Sequence, residues 1–282
     1  MARAVWRSMA SSLIELVQAS RFWLVVVIEI LFIWLAFTPL YSYVSLIGYR
    51  VNPCVLPLLA SDPLYQLVFL FGLVLVFADA PFLTENQLFV LMRGGRLAWG
   101  LGKILYLVVV SVLYWLLLVA ASLILLAPCA SLLTDGWGAA LSTLAETDAA
   151  SQIGLSFGVN SYLLNTYQPF EALTLMFAME SLAGAILGLL IMAVNLATRN
   201  KGGLAAAILV VLLDLLIVNA LPYRTYSWSI ASHGRLVVFS EVDPFYPTLG
   251  YAAGFDGVCA AVLAVAVLVL VWKTDLMARS TM

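Results

Sequence analysis

The chain has 282 residues, of which 64% are hydrophobic and 10% charged, and its formal net charge is −2. This composition excludes a soluble domain, whose surface carries far more charged side chains. The net charge by itself says nothing about nucleic acid, and no nucleic-acid partner is expected. Runs of about 20 apolar residues instead predict an all-α membrane protein, since such a run crosses a hydrocarbon layer about 30 Å thick.

The first residues predict a helix that lies along the membrane surface. In residues 4–18, Val5, Met9, Leu13 and Leu16 recur at helical spacing, with Arg, Ser and Glu side chains between them. A mixed pattern of this kind is typical of an interfacial helix rather than of a membrane span.

Six apolar segments then predict six transmembrane helices in a single transmembrane domain. The predicted spans are about 22–44, 64–80, 101–127, 171–197, 204–221 and 250–272. They leave outer loops at 45–63, 128–170 and 222–249, the last of which has amphipathic pieces that suit re-entrant helices. In the fourth span, Gly184 and Gly188 allow a neighbouring helix to approach closely.

Lysine and arginine predict the orientation of these spans. Ten of the 13 basic residues fall on the side that holds both termini. Because cytoplasmic loops are enriched in Lys and Arg, we expect both termini in the cytoplasm. The ten are Arg3, Arg7, Arg21, Arg93, Arg96, Lys103, Arg199, Lys201, Lys273 and Arg279.

The segment 79–103, between the second and third predicted spans, carries the pattern of a short amphipathic helix. Thr84 is a candidate N-cap, and Leu88, Leu91 and Met92 follow at the spacing i, i+3, i+4. Gly94 and Gly95, which follow Arg93, can end such a helix.

Basic side chains surround that predicted helix. Arg93 and Arg96 flank the two glycines, and Lys103 stands at the mouth of the third span. The segment is therefore either a docking helix beside the membrane or an ordinary basic loop that anchors the topology.

Carboxylates inside the apolar spans are the remaining candidates for function. Glu29, Glu180 and Asp214 lie within predicted spans, while Asp79 and Asp256 lie nearer to span ends. A charged carboxylate at the centre of a membrane helix costs about 2.5–3.5 kcal/mol, so it should face protein or water. These residues either line a substrate or ion path or form interhelical hydrogen bonds. No basic residue lies at mid-span to pair with them.

The remaining residue patterns do not predict catalysis or a metal site. Cys54, Cys129 and Cys259 are scattered without metal-ligand spacing, although a Cys54–Cys129 bridge stays open because both fall in outer loops. The single histidine, His233, excludes a histidine-based metal cluster within the chain. There is no GxxxxGK[ST] sequence, so the chain lacks the phosphate-binding loop of many ATPases.

The segment 79–103 resembles the first cytoplasmic loop of ABC-2-type exporter permeases, the membrane subunits of ATP-binding-cassette exporters. In that family a Leu-rich helix is followed by a turn, an Arg, and a Gly-Lys pair that opens the third span. Here Leu88–Met92, Gly94-Gly95-Arg96 and Gly102-Lys103 match these parts, with Gly-Gly in place of the family's usual Pro-Ser turn. Six spans and cytoplasmic termini are consistent with the resemblance.

The resemblance implies a permease subunit in a prokaryotic cell membrane that has no enzymatic activity of its own. ATP-binding-cassette ATPase subunits would hold ATP and Mg²⁺, and a second, identical or related permease subunit would complete the path through the lipid bilayer. The cargo could be lipid-like, a peptide, a drug or a polysaccharide. The residues expected to couple to the ATPase are Glu85, Leu88, Leu91, Met92, Arg93, Gly94, Gly95, Arg96 and Lys103.

A second hypothesis belongs to another class of transporter. An ion-coupled secondary transporter would use Glu180 and Asp214, with Glu29 as a further candidate on the substrate path, and would need no ATPase. The absence of a visible inverted repeat in the sequence counts against it. A membrane enzyme is the third class, which the lack of His, Cys and carboxylate clusters disfavours.

Overall fold

The computed structural model describes residues 1–82, 85–131 and 136–273. Within these ranges the chain is helical, and its extended pairing is limited to one isolated parallel bridge between Val51 and Ala130. The α-helices of the described ranges are α1 (Ala2–Gln18), α2 (Ser20–Ile47), α3 (Leu56–Ala60), α4 (Pro63–Val76), α5 (Glu85–Gly94), α6 (Arg96–Leu126), α7 (Gly138–Glu146), α8 (Ala149–Gln152), α9 (Ser161–Thr166), α10 (Pro169–Thr198), α11 (Gly202–Ala220) and α12 (Leu249–Lys273).

Five of these helices, α2, α6, α10, α11 and α12, are long and apolar enough to cross a membrane. They coincide with five of the six predicted spans to within a few residues, except that α6 begins at Arg96, five residues before the predicted start. Its early glycines, Gly100 and Gly102, do not interrupt the helix. The fold is thus that of an all-α, multi-pass membrane protein.

The second predicted span, 64–80, is a shorter helix in the structure. Helix α4 has 14 residues, which at 1.5 Å per residue extend about 21 Å, less than the roughly 30 Å of a hydrocarbon core. Asp62 begins it by accepting hydrogen bonds from the Leu64 and Tyr65 amides. After Val76 the chain continues in turns as far as Pro81, which has no backbone N–H with which to continue a helix. A sixth span stays a prediction.

Helix α10 is the centre of the bundle. In its most apolar window 72% of the residues are buried, against 17% in α12. Gly184 lies against Leu73 and Ser111, and a Cβ on Gly188 would meet Leu107 and Phe77 at 3.0 Å. The small residues of this helix therefore serve packing within the chain, because α4 and α6 approach it where side chains are absent.

Helix α1 packs along the first half of α6. Ser8, Met9 and Ser12 are buried on its inner face, and Gly102 of α6 approaches Ser8 so closely that a Cβ would need the neighbour to move. Trp6 is exposed on another face. The amphipathic helix predicted for residues 4–18 is present, and its position along a membrane surface stays a prediction.

The bundle has two chemically different ends. We call the end formed by α1, α5, the start of α6, and the α10–α11 turn the basic end. The opposite end, the loop end, comprises residues 48–62, 127–131, 136–168 and 221–248. Between α11 and α12 the chain forms three short 3₁₀ helices, Tyr223–Trp228, Ser232–Gly234 and Leu236–Val238.

The cysteines of the loop end are free thiols. Cys54 and Cys129 are both buried and form no disulfide with each other. Burial raises the pKa of both thiols, which keeps them protonated and unreactive. The bridge that the sequence left open is therefore not formed.

Candidate functional site

Helix α5 is the first of two candidate sites, and it is held against α1. The Gln87 amide donates hydrogen bonds to Ser11 Oγ at 3.0 Å and to Glu15 Oε1 at 3.1 Å. One turn further on, Leu91 is buried, with 3% of its surface exposed. Gln87 and Leu91 lie at i and i+4 and so form the inner face of the helix.

The outer face of α5 presents large apolar side chains. Phe89 is 62% exposed and Met92 58% exposed, and the exposed Arg93 lies beside them at i+4 from Phe89. Gly95, with φ at 81°, ends the helix in a conformation that favours glycine. An exposed stripe of this composition is suited to seating in the groove of a partner protein.

The predicted coupling residues divide between these two faces. Met92 and Arg93 are exposed, whereas Leu91 faces inward and braces the helix. Thr84, the predicted N-cap, lies outside the described residues, and so do the side chains of Glu85 and Leu88. Phe89 is the exposed residue that the sequence pattern missed, because a stripe built on Leu88 placed it off the apolar face.

Arg96 and Lys103 belong to α6 rather than to a loop. Arg96 Nη1 donates to the backbone carbonyl oxygen of Trp272, near the end of α12, at 3.2 Å, a favourable place for a cation. Lys103 differs more from expectation, because it is fully buried. Its ammonium donates to Ser12 Oγ at 2.7 Å, so it ties α1 to α6 and is not accessible to a partner subunit.

Aromatic rings complete the environment of Lys103. The ammonium lies 5.4 Å from the ring centres of Phe82 and Trp99 and 5.8 Å from that of Tyr106. Cation–π attraction at these distances offsets part of the cost of burying the charge.

The second candidate site is a buried polar cluster on the segment 229–235, between α11 and α12. Asp214 of α11 accepts hydrogen bonds from Arg235 Nη1 at 2.6 Å and from Arg235 Nη2 at 3.2 Å. Ser229 Oγ donates to the same carboxylate at 2.7 Å, and Ser232 also donates to it. The expectation that no basic residue pairs with Asp214 is wrong, since Arg235 enters from the loop end and both partners are buried.

Glu180 of α10 joins the cluster from the other side of the same segment. Gln66 of α4 donates through Nε2 to Glu180 Oε1 at 2.7 Å and to the carbonyl oxygen of Ala231 at 2.5 Å. Gly234 lies directly against this pair, and a Cβ there would overlap the carboxyl group. The segment can therefore approach α10 only because position 234 has no side chain.

A histidine–carboxylate pair closes the cluster at α12. His233 Nδ1 lies 2.9 Å from Asp256 Oδ1, and both side chains are fully buried. The cluster thus joins α4, α10, α11 and α12 to one short stretch of non-helical chain. Its polar groups hold that stretch in place, as buried backbone requires.

Glu29 lies apart from this cluster, between α2, α4 and α6. Its carboxyl group interacts with the Tyr114 hydroxyl, which donates to the Phe69 carbonyl oxygen at 2.8 Å. It packs against Gly72, where a Cβ would overlap its Oε1. The structure therefore places Glu180 and Asp214 against the same segment, 229–235, and leaves Glu29 in a separate helix-packing contact.

Sequence reasoning missed Gln66, Ser229, Ser232 and Arg235 as members of the cluster. Gln66 is the one amide in the apolar helix α4, and residues 229–235 (SIASHGR) repeat small polar side chains next to an arginine. Those features were visible in the sequence, but the pairing of Arg235 with Asp214 requires the chain to fold back after α11.

The chain matches no family model, no curated protein and no solved structure. The helices and the two sites define a multi-pass, all-α membrane protein whose segment after α11 is anchored by a buried ion pair.

Proposed function

We propose that the chain is the membrane subunit of an ATP-driven exporter, and that α5 is its docking helix for a separate ATP-binding-cassette ATPase subunit. The observation that carries this proposal is the exposed face of Phe89, Met92 and Arg93 on a short helix between α4 and α6. In this proposal the basic end faces the cytoplasm, in keeping with its excess of Lys and Arg.

The packing of α5 supports a role in transmitting motion. The helix continues directly into α6 through Gly95, and Gln87 and Leu91 fasten it to the interior of the basic end. A force applied to the outer face therefore acts on α6 and on α1 together. ATP and Mg²⁺ belong to the partner subunit in this proposal, and the chain itself contributes no catalytic residue.

A second permease subunit is also part of the proposal. Apolar side chains of α11 and α12 point away from the bundle, including Leu209, Leu216, Val262 and Val265. Such surface suits either lipid or a second copy, and an exporter path between two subunits uses part of it. The six-span topology and re-entrant outer segment belong to the same proposal.

The alternative of an ion-coupled transporter finds less support in the geometry. Asp214 is already paired with Arg235 and hydrogen-bonded by two serines. A carboxylate held in this way is a poor carrier of a transported cation, because binding the ion would leave the buried guanidinium unpaired.

The test is co-purification from native membranes in a mild detergent. An ATP-binding-cassette subunit, identified by its sequence, should co-purify with the wild-type chain, and Phe89→Asp with Met92→Asp should reduce its recovery at least about tenfold, since buried apolar anchors dominate such interfaces. Val242→Asp, a change at an exposed position of the loop end, is the control and should leave recovery unchanged. The proposal fails if no such subunit accompanies the wild type, or if the α5 variant recovers as much as the control.

A further inference from the structure

A cavity of about 650 Å³ opens at the basic end of the bundle. It lies between α1, the first turn of α2, the chain that follows α4, and the α10–α11 turn. Its volume falls within the range of about 300–1,000 Å³ that is usual for sites that bind small molecules. It is separate from the outer face of α5 and from the buried polar cluster.

The deeper wall of the cavity is apolar and aromatic. Leu16 of α1, Phe22 of α2, Val76 at the end of α4 and Tyr106 of α6 contribute to it, together with Phe82. A wall of this kind accepts methylene groups, since each one removed from water contributes favourably to binding.

Cations and carboxylates share the polar part of the lining. Arg21 donates to Asp79, so these two charges neutralise each other. Glu15 accepts a hydrogen bond from Gln87 of α5. Arg199 and Lys201, on the α10–α11 turn, are exposed, and neither forms a salt bridge within the described part of the chain. These two cations are therefore the positive charges that a ligand would meet, and the Glu15 carboxylate adds one negative charge to the same lining.

We propose that this cavity binds a membrane amphiphile with an anionic, phosphate-bearing headgroup. Arg199 and Lys201 bind the phosphate oxygens, because guanidinium and ammonium groups form strong charge-assisted hydrogen bonds with them. The first methylenes of the hydrophobic chain lie against the apolar wall. Basic pockets between membrane helices on the cytoplasmic side are suited to such headgroups.

The cavity and α5 share helix α1. Ser12 and Glu15 line the cavity, and the Gln87 amide of α5 is bonded to Glu15 and to Ser11. A headgroup that displaces Glu15 therefore acts on the contact that positions α5. Resting on the exporter function proposed above, this inference places the entry of an anionic amphiphile beside the docking helix.

The experiment measures lipid binding by the full-length chain alone, purified in a neutral detergent. Dioctanoyl phosphatidic acid, dioctanoyl phosphatidylcholine and inorganic phosphate are the probes, and the dissociation constant is read by microscale thermophoresis. Phosphatidic acid should bind more tightly than phosphatidylcholine, and inorganic phosphate should bind too weakly to saturate. Affinity for phosphatidic acids should rise with acyl-chain length, because the apolar wall contributes.

Two double variants with equal loss of charge separate the cavity from general attraction. Arg199→Gln with Lys201→Gln should weaken phosphatidic acid binding at least about tenfold, the effect of losing one charge-assisted hydrogen bond. Arg3→Gln with Arg7→Gln, on exposed positions of α1 outside the cavity, should leave it unchanged.

Three results overturn the proposal: equal affinity in the two double variants, affinity that does not depend on acyl-chain length, or saturation by inorganic phosphate as tight as that by phosphatidic acid. The last of these identifies a site for free anions. Since no ATPase is present in this assay, its outcome is independent of the co-purification test, and either proposal can fail while the other stands.

Discussion

Replacing Arg235 with methionine should be among the most destabilising single substitutions in the chain. The substitution leaves Asp214 buried in the bundle without its counter-charge. Breaking a buried ion pair by removing one partner costs about 3–5 kcal/mol. Ser229 and Ser232 continue to donate to the carboxylate, so we expect the loss to lie near the lower end, at about 3 kcal/mol.

A double-mutant cycle tests this reasoning in equilibrium unfolding experiments in mixed micelles. Asp214→Asn removes the negative charge and keeps an acceptor for the serines, so the double variant with Arg235→Met buries neither charge of this pair. The double variant should therefore be more stable than Arg235→Met alone. Arg224→Met is the control. The Arg224 guanidinium lies over the Phe245 ring at 5.0 Å, at an exposed position of the chain between α11 and α12, and should contribute at most about 1 kcal/mol.

Two results would refute the ion-pair argument. One is an Arg235→Met variant as stable as the Arg224→Met control. The other is a double variant whose loss equals the sum of the two single losses, which would mean that the charges do not interact.

Two further predictions concern the other buried carboxylates. Gly72→Ala should destabilise the bundle by about 1–3 kcal/mol, because the added methyl overlaps the Glu29 carboxyl and lies 2.6 Å from the Tyr114 hydroxyl oxygen. Gly257→Ala is the control and should not destabilise the bundle, since a Cβ there meets nothing within 4 Å. Equal melting temperatures for the two variants would contradict the close approach at Gly72. Glu180→Gln keeps an acceptor for its hydrogen bond, so the variant should support growth of a deletion strain at acidic and at alkaline pH as the wild type does; a pH-dependent defect would instead favour the ion-coupled transporter.

Features that depend on local composition could be predicted from the sequence, and features that depend on contacts between distant residues could not. The five long helices follow from continuous apolar runs, which depend on local composition alone. The end of α4 did not, since the apolar run continues to Ala78 while the helix stops at Val76 and the chain turns before Pro81. Composition predicts the extent of the apolar run, whereas the backbone conformation determines where the helix ends.

The polar contacts show the same limit more clearly. Lys103 looked like a surface residue at the mouth of a span, because its partner Ser12 is 91 residues away. Arg235 was counted with the outer loops, and only the folding of the segment after α11 places it against Asp214. The exposed stripe on α5 depended on which side of the helix meets α1, which periodicity does not determine when both Leu88 and Phe89 are apolar.

The ion pair also sets an order of events during synthesis. Asp214 emerges from the ribosome 21 residues before Arg235, so α11 is presented to the membrane while its carboxylate has no counter-charge. Insertion at that stage carries a free-energy penalty of about 2.5–3.5 kcal/mol for the carboxylate, which the surrounding leucines and valines of α11 must outweigh. The final position of α11 is then secured only after the segment 222–238 has been made and folded back, so a chain truncated before Arg235 should insert this helix less completely than the whole protein does.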